Sequence, residues 1–139
     1  MWLFTRYGFF SISVQGNTAI VRARMREHLV ALQDRFPLCA SIHRGAIQST
    51  EDRDYAWRIS VPLKVWAKAV EQLVLEQTWS NFKNEAARFG KEKDLPGRYN
   101  LLLHEVWMLV ARKLQWSKQP LGSYQTYTEP EFTPDDLEE

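Results

Sequence analysis

The chain has a single cysteine, Cys39, which excludes an internal disulfide and every zinc site built on cysteine pairs. So little cysteine is typical of a reducing compartment. No basic segment precedes the apolar stretch at the N-terminus, Arg6 interrupts that stretch early, and no run of about 18 apolar residues occurs. We therefore expect a cytoplasmic protein that does not associate with membranes.

Motifs of known enzyme chemistry are also missing. The sequence has no glycine-rich phosphate loop, no nucleophile elbow, no Ser-His-Asp order and no paired-carboxylate motif. His28, His43, His104 and Cys39 lack the i, i+3 or i, i+4 spacing that preforms a metal site on a helix. The sequence therefore predicts no metal and no cofactor, and it favours a protein without enzymatic activity.

Charge is divided unevenly along the chain, although the net charge is only +1. Residues 1–116 contain 17 Lys and Arg against 11 Asp and Glu, whereas residues 117–139 contain one lysine against six acids. The second segment also contains three prolines, and this composition is typical of chains that stay extended or disordered in isolation. We predict one domain over residues 1–116 and an acidic tail over residues 117–139.

The N-terminal part of the chain predicts a hairpin followed by a helix. Met1–Gln15 is rich in aromatic residues without helical spacing, and Thr18–Met25 alternates apolar residues with arginines. Both segments are predicted strands, joined by a turn at Gly16. Apolar residues then recur at helical intervals over Arg26–Phe36, and Pro37 ends this predicted helix.

A second hairpin and helix follow the first. The predicted strands are Ala40–Gln48 and Tyr55–Val61, and the predicted helix begins at Pro62 and ends near Leu75. Alternation along the second of these strands places four apolar side chains on one side, namely Tyr55, Trp57, Ile59 and Val61, and places Arg58 and Ser60 on the other.

Together the two ββα units predict an α+β fold. The short echo between Val21-Arg22-Ala23 and Trp57-Arg58-Ile59 is consistent with such a repeat. We expect a four-stranded antiparallel sheet with helices on one face, as in ferredoxin-like layering. A C-terminal helical pair is predicted from Phe82–Phe89, capped by Ser80 or Asn81 and ended by Gly90, and from Tyr99–Trp116.

Several short motifs carry a resemblance to a known family. They are Met1-Trp2-Leu3-Phe4-Thr5, Gly8-Phe9-Phe10-Ser11, Val21-Arg22-Ala23-Arg24, Asp54-Tyr55, Asn81-Phe82-Lys83 and Leu103-His104-Glu105-Val106-Trp107. With these motifs the chain resembles a family of short bacterial proteins whose activity is uncharacterised. The resemblance covers about residues 1–115 and implies a single compact domain without implying a mechanism.

Candidate binding residues lie on the predicted outward face of the sheet. Alternation places Arg22 and Arg24 there, with Phe9 from the first strand and Arg58 from the last. Arginines bind phosphates and an exposed aromatic ring stacks on a base, so this face suits RNA or another single-stranded nucleic acid. The competing interpretation is that a C-terminal helix covers the face and that carboxylates such as Glu85 or Glu105 pair with these arginines.

Three further residues are candidates for acid–base chemistry. His104 titrates near neutrality, Lys83 is a base or nucleophile once desolvated, and Tyr99 precedes the histidine on the same predicted helix. A small hydrolase or transferase using His104 and Lys83 requires these side chains to converge in one pocket. The alternative is that all three are ordinary structural residues.

Protein binding is the function that the sequence favours most. Trp2 and Trp79 fall at the ends of predicted elements, where exposed tryptophans mark interfaces. In the tail, four apolar residues interspersed with acids suit a segment that folds onto a groove, either on a partner or on its own domain: Tyr124, Tyr127, Phe132 and Leu137. We expect an adaptor that engages a protein partner or assembles as a homo-oligomer, with nucleic-acid binding as the alternative.

Overall fold

The computed structural model describes residues 1–40, 45–50 and 53–116. The chain divides into two compact units, Met1–Pro96 and Gly97–Glu139. The predicted acidic tail, with Tyr124, Tyr127, Phe132 and Leu137, lies outside the described residues. Its boundary at residue 116 therefore stays a prediction.

The described residues of the first unit form one antiparallel sheet of five strands. In chain order these are β1 (Trp2–Thr5), β2 (Gly8–Gln15), β3 (Thr18–Ala23), β4 (Gln48–Ser49) and β5 (Trp57–Pro62). Their order across the sheet is β1-β2-β3-β5-β4. The α+β class and the antiparallel sheet are confirmed, and the predicted count of four strands is wrong.

The additional strand arises because the first predicted strand turns back on itself at Arg6 and Tyr7. The hydroxyl oxygen of Thr5 accepts hydrogen bonds from the backbone N–H of Tyr7 and of Gly8, each at 3.2 Å. Gly8 has φ of +146°, a conformation that side-chain-bearing residues rarely adopt. The two central residues of the turn, Arg6 and Tyr7, are not typical turn residues, and Gly8 is its only local sequence signal. Tyr7 is buried, so tertiary packing helps to hold the turn.

The predicted strand Ala40–Gln48 is also wrong for most of its described part. The chain forms a 3₁₀ turn over Pro37–Ala40, and only Gln48–Ser49 pairs with β5. The backbone N–H of Cys39 donates to the carbonyl of Phe36 at 2.9 Å, which turns the chain inward. The Cys39 side chain, within this turn, is completely buried.

The described part of the first unit also contains three α-helices: α1 (Arg26–Arg35), α2 (Leu63–Leu75) and α3 (Phe82–Glu92). Helices α1 and α2 pack on one face of the sheet, where their apolar residues meet those of β2, β3 and β5. The largest fully buried side chains of this core include Phe10, Val21, Leu29, Leu32, Ile59 and Val61. The predicted cap is confirmed, because the Asn81 side chain accepts from the N–H of Asn84 at 3.0 Å, but α3 continues past Gly90 to Glu92.

An ionic cluster joins the β1–β2 turn to these helices. The Arg6 guanidinium lies 2.8 Å from the carboxylate of Glu85 on α3 and 3.4 Å from that of Glu76 beyond α2. Glu76 also binds Arg35 of α1 at 3.0 Å and accepts from the Tyr7 hydroxyl at 2.8 Å. These contacts hold α1, α2 and α3 around one turn of the sheet.

The described part of the second unit is a continuous helical segment. Helix α4 (Arg98–Val110) runs into a π-helical segment, Ala111–Gln115, and the Trp107 and Trp116 rings meet edge to face at 6.1 Å. The predicted helix Tyr99–Trp116 is therefore confirmed to within a residue at each end. Its predicted docking on the sheet stays a prediction. Among the described residues, no helix combines the length and the apolar character needed to span a bilayer.

Candidate functional site

Polar side chains cross the sheet on the face opposite the helices. Ser11 pairs with Arg22, Arg22 with Arg58, and Arg58 with Gln48, so four adjacent strands contribute one residue each to a continuous row. The flanking positions Val21 and Ile59 are buried in the core, which fixes the row on the other side of the sheet.

Arg22 and Arg58 are direct cross-strand neighbours. The two echoed tripeptides of the sequence are thus paired residue by residue in the antiparallel register. Like charges directly opposite one another destabilise a sheet. Over residues 1–40, 45–50 and 53–116, no carboxylate forms an ion pair with Arg22, Arg24 or Arg58. Glu85, which the sequence offered as a partner, binds Arg6 and Arg88 instead.

Neutral oxygens hold these guanidinium groups in place. Arg22 donates to the Ser11 hydroxyl at 2.8 Å and to the Ser11 carbonyl at 3.4 Å. Arg24 donates to the Asp54 carbonyl at 2.5 Å, and Arg58 donates through Nε to the Thr50 hydroxyl at 3.3 Å. An arginine has five N–H donors, so each of these side chains keeps at least three for another acceptor.

Tyr55 lies between the arginines, and its predicted orientation toward the core is wrong. The strand begins only at Trp57, and the Tyr55 ring centroid lies 5.0 Å from Cζ of Arg22 and 4.5 Å from Cζ of Arg24. Thr50 holds the segment that leads into β5, because its hydroxyl donates to the Tyr55 carbonyl at 2.6 Å and its backbone N–H donates to the Ala56 carbonyl. The ring is therefore the centre of the site, which we call the arginine face: Arg22, Arg24, Arg53 and Arg58 around Tyr55.

A cleft of about 420 Å³ opens on the arginine face. Its lining includes three arginines, Arg22, Arg53 and Arg58, and one acid, Asp54. Its floor comes from outward positions of two strands, Ser13 and Gln15 of β2 and Ile20 of β3. The lining is cationic and mostly polar, a composition that suits an anion better than an apolar molecule.

Aromatic side chains continue the same face toward β1. We call this group the aromatic edge: Trp2, Phe4 and Phe9. The Phe4 and Phe9 rings stack at 4.6 Å, and Trp2 meets Phe9 edge to face at 5.6 Å. Phe9 also lies 6.4 Å from Tyr55, which links the aromatic edge to the arginine face. Trp2 is 68 % exposed.

The remaining candidate residues lie elsewhere. Trp79 contacts the Arg6 guanidinium at 5.1 Å, as part of the ionic cluster. Lys83 is on α3 of the first unit, whereas Tyr99 and His104 are on α4 of the second. The convergence of Lys83 and His104 in one pocket therefore stays a prediction.

Among the groups with shifted pKa values, Glu85, Tyr7 and Cys39 lie away from the arginine face. Hydrogen bonds from Arg88, and then from Arg6, lower the pKa of Glu85 to about 2. Burial, with a hydrogen bond to Glu76, raises the pKa of Tyr7. Burial raises the pKa of the Cys39 thiol to about 11, so this cysteine is a poor nucleophile at neutral pH.

Sequence reasoning missed three residues of the site, Thr50, Arg53 and Tyr55. Their only local signal is a polar loop that begins with a threonine, a residue that commonly bonds nearby backbone groups. In the part of the chain that the structure describes, no group of three or more histidines, cysteines or acids is arranged to hold a metal ion. Comparison of the chain with protein-family models, curated proteins and solved structures finds no match.

Proposed function

We propose that this protein binds single-stranded nucleic acid on the arginine face and the aromatic edge, and that it acts by binding without catalysing a reaction. The proposal depends on one observation above all. Arg22 and Arg58 occupy directly opposed strand positions without a carboxylate partner among the described residues. This arrangement costs stability in the free protein, and a bound anion would remove the cost.

Phosphate is the anion that this geometry suits best. The guanidinium group presents a planar fork of N–H donors that matches phosphate oxygens, and several forks side by side suit a chain of phosphates. Ser11, Thr50 and the Asp54 carbonyl orient the three forks and leave donors unused. These oxygens therefore preorganise the site and reduce the entropy lost on binding.

The aromatic edge favours a single strand over a duplex. Unpaired bases stack on exposed aromatic rings, whereas the bases of a duplex are already stacked on one another. Trp2 offers an exposed ring, and the Phe4 and Phe9 rings are stacked beside it. A strand crossing this face would place phosphates on the arginines and bases on the aromatic rings.

The test is fluorescence anisotropy with a labelled single strand of about 12 nucleotides, a length within the usual site sizes of such modules. The double variant Arg22→Gln with Arg58→Gln removes two phosphate ligands. We expect its salt slope, d log K/d log[salt], to fall in magnitude by about 1.4. RNA and DNA strands of the same sequence show whether the 2′-hydroxyl contributes.

A matched control makes the result specific. Arg26→Gln with Lys68→Gln removes the same charge from helices on the opposite face of the sheet, where Arg26 is exposed and Lys68 is 79 % exposed. This control should keep the wild-type slope. Equal loss in the two double variants would mean that only net charge matters, and the arginine face would no longer be the site.

The adaptor function, with a protein partner or self-assembly, stays a second proposal. It is favoured by a specific feature of β1, whose outer side pairs with no strand among the described residues. The enzymatic alternative, through His104 and Lys83, has no comparable support.

A further inference from the structure

Strand β1 is the outer strand of the sheet on one side, and its hydrogen bonds show which of its backbone groups are unused. The N-terminal ammonium of Met1 donates to the Ile12 carbonyl at 2.8 Å, and the N–H of Ile12 donates to the Met1 carbonyl at 2.8 Å. In antiparallel sheets such doubly bonded pairs alternate with pairs that exchange no bond. In this register the backbone N–H and C=O groups of Leu3 and Thr5 point toward β2. Those of Trp2 and Phe4 point outward, away from β2.

Four backbone groups are thus available along this edge: the N–H and C=O of Trp2 and of Phe4. Among the described residues, none of these groups has a hydrogen-bond partner. Natural edge strands are usually protected by lysine, proline or a bulge. From Trp2 to Thr5 the edge has no charge, no proline and no interruption in its register.

The two open positions are placed symmetrically about Leu3, so the edge is complementary to itself. A second copy in antiparallel orientation, with a twofold axis at Leu3, pairs Trp2 of each copy with Phe4 of the other. Each such pair exchanges two backbone hydrogen bonds and brings two aromatic rings together across the strands. A twofold contact needs one surface that fits itself, and this register provides it.

Apolar surface beside the edge favours the same occupant. Leu3 and Phe4 line a cavity of about 210 Å³ together with Val70 and Val74 of α2. Val74 is 59 % exposed and Trp2 is 68 % exposed, so both present apolar surface to solvent. In the symmetric register Leu3 of the second copy lies opposite Leu3 and on the same side of the sheet as this cavity.

We propose that this protein forms a homodimer by antiparallel pairing of β1 with β1 of a second copy, which joins two sheets into one. Because the twofold axis is perpendicular to the sheet, both arginine faces lie on the same side. Under the nucleic-acid function proposed above, one strand could then contact both faces, which raises its apparent affinity. The dimer itself does not depend on that function.

The test combines sedimentation equilibrium of the full chain with cysteine cross-linking. Cα atoms of an unbonded antiparallel pair are about 4.5 Å apart, which suits a disulfide. Leu3→Cys should therefore cross-link under mild oxidation. Trp2→Cys should cross-link poorly, because the two copies of that residue would be about 8 Å apart. The native Cys39 is fully buried and should not interfere.

A second pair of variants separates the hydrogen bonds from the side chains. Trp2→Pro removes an N–H that β2 does not use, whereas Trp2→Ala keeps it. We expect Trp2→Pro to weaken the dimer at least about tenfold more than Trp2→Ala, since two intermolecular hydrogen bonds are lost. Circular dichroism should show that both variants keep the fold.

Two outcomes would overturn the dimer. One is a monomer at high micromolar concentration, and the other is a dimer that neither Leu3→Cys traps nor Trp2→Pro weakens. Neither measurement contains nucleic acid, so failure of the dimer and failure of the proposed function are distinguished. Because Trp2 belongs to the aromatic edge, oligonucleotide binding is compared between the wild-type chain and the Arg22→Gln with Arg58→Gln variant, and the dimer measurements alone decide the pairing of β1.

Discussion

Repulsion between Arg22 and Arg58 should be measurable as a coupling energy. The perturbation is a double-mutant cycle: wild type, Arg22→Gln, Arg58→Gln and the double variant. If the two guanidinium groups repel one another, each single variant already relieves the repulsion, so the double variant is less stabilised, or more destabilised, than the two single variants predict together. The cycle cancels the separate losses of the hydrogen bonds to Ser11 and Thr50.

The magnitude follows from the strand register. Directly opposed side chains are about 5 Å apart at Cβ, and two unit charges at that distance repel by about 0.8 kcal/mol in water. Arg22 and Arg58 are both half-buried beside an open cleft, so solvent screens most of the interaction. We therefore expect a coupling of about 0.5 kcal/mol, within the usual range for cross-strand pairs.

Salt dependence gives this prediction a second, independent check. The Debye length is about 10 Å at 0.1 M salt and about 3 Å at 1 M, so a charge interaction over 5 Å falls about threefold between them. The assay is urea unfolding followed by tryptophan fluorescence at both salt concentrations. An attractive coupling, or one that salt leaves unchanged, would refute the reasoning, because it would mean that a nearby anion already neutralises the pair.

Two further predictions concern the stability of the first unit. Gly8→Ala should destabilise it by about 3 kcal/mol or more, because φ is +146° and the added methyl group would overlap the buried His28 ring. Gly16→Ala is the control: with φ of +57° and no neighbour within 4 Å, it should cost only about 1 kcal/mol. Equal losses by chemical denaturation would exclude that overlap as the cause. Because the folded pKa of Glu85 is about 2 and its ordinary value is 4.5, its contribution to stability is complete above pH 4.5 and is lost as pH falls toward 2. Glu85→Gln should therefore have a lower free energy of unfolding at pH 7 and should lose less of it between pH 5 and pH 2 than the wild type does. Parallel profiles of unfolding free energy against pH for the two proteins would contradict a stabilising role of the Glu85 carboxylate.

Local sequence patterns were sufficient to predict an element where one of its faces is buried and where residues typical of turns or caps mark its end. Alternation placed Ile59 and Val61 on one face and Arg22 and Arg58 on the opposite face, because strand side chains alternate strictly. Likewise, the Gly16 turn and the Asn81 cap follow from the conformational freedom of glycine and from a side-chain amide that binds backbone N–H groups. Each of these features depends on residues within a few positions of one another.

Features that join distant parts of the chain were beyond those patterns. The turn at Tyr7 is held by a carboxylate 69 residues away, and Tyr55 meets Arg22 and Arg24 only because loop and sheet fold together. The pairing of Arg22 with Arg58 depends on which strands become neighbours, and β3 and β5 are separated in sequence by a helix and a short strand. Alternation assigned each arginine to a face, but only long-range packing could place the two side by side, because register between distant strands is set by the core they share.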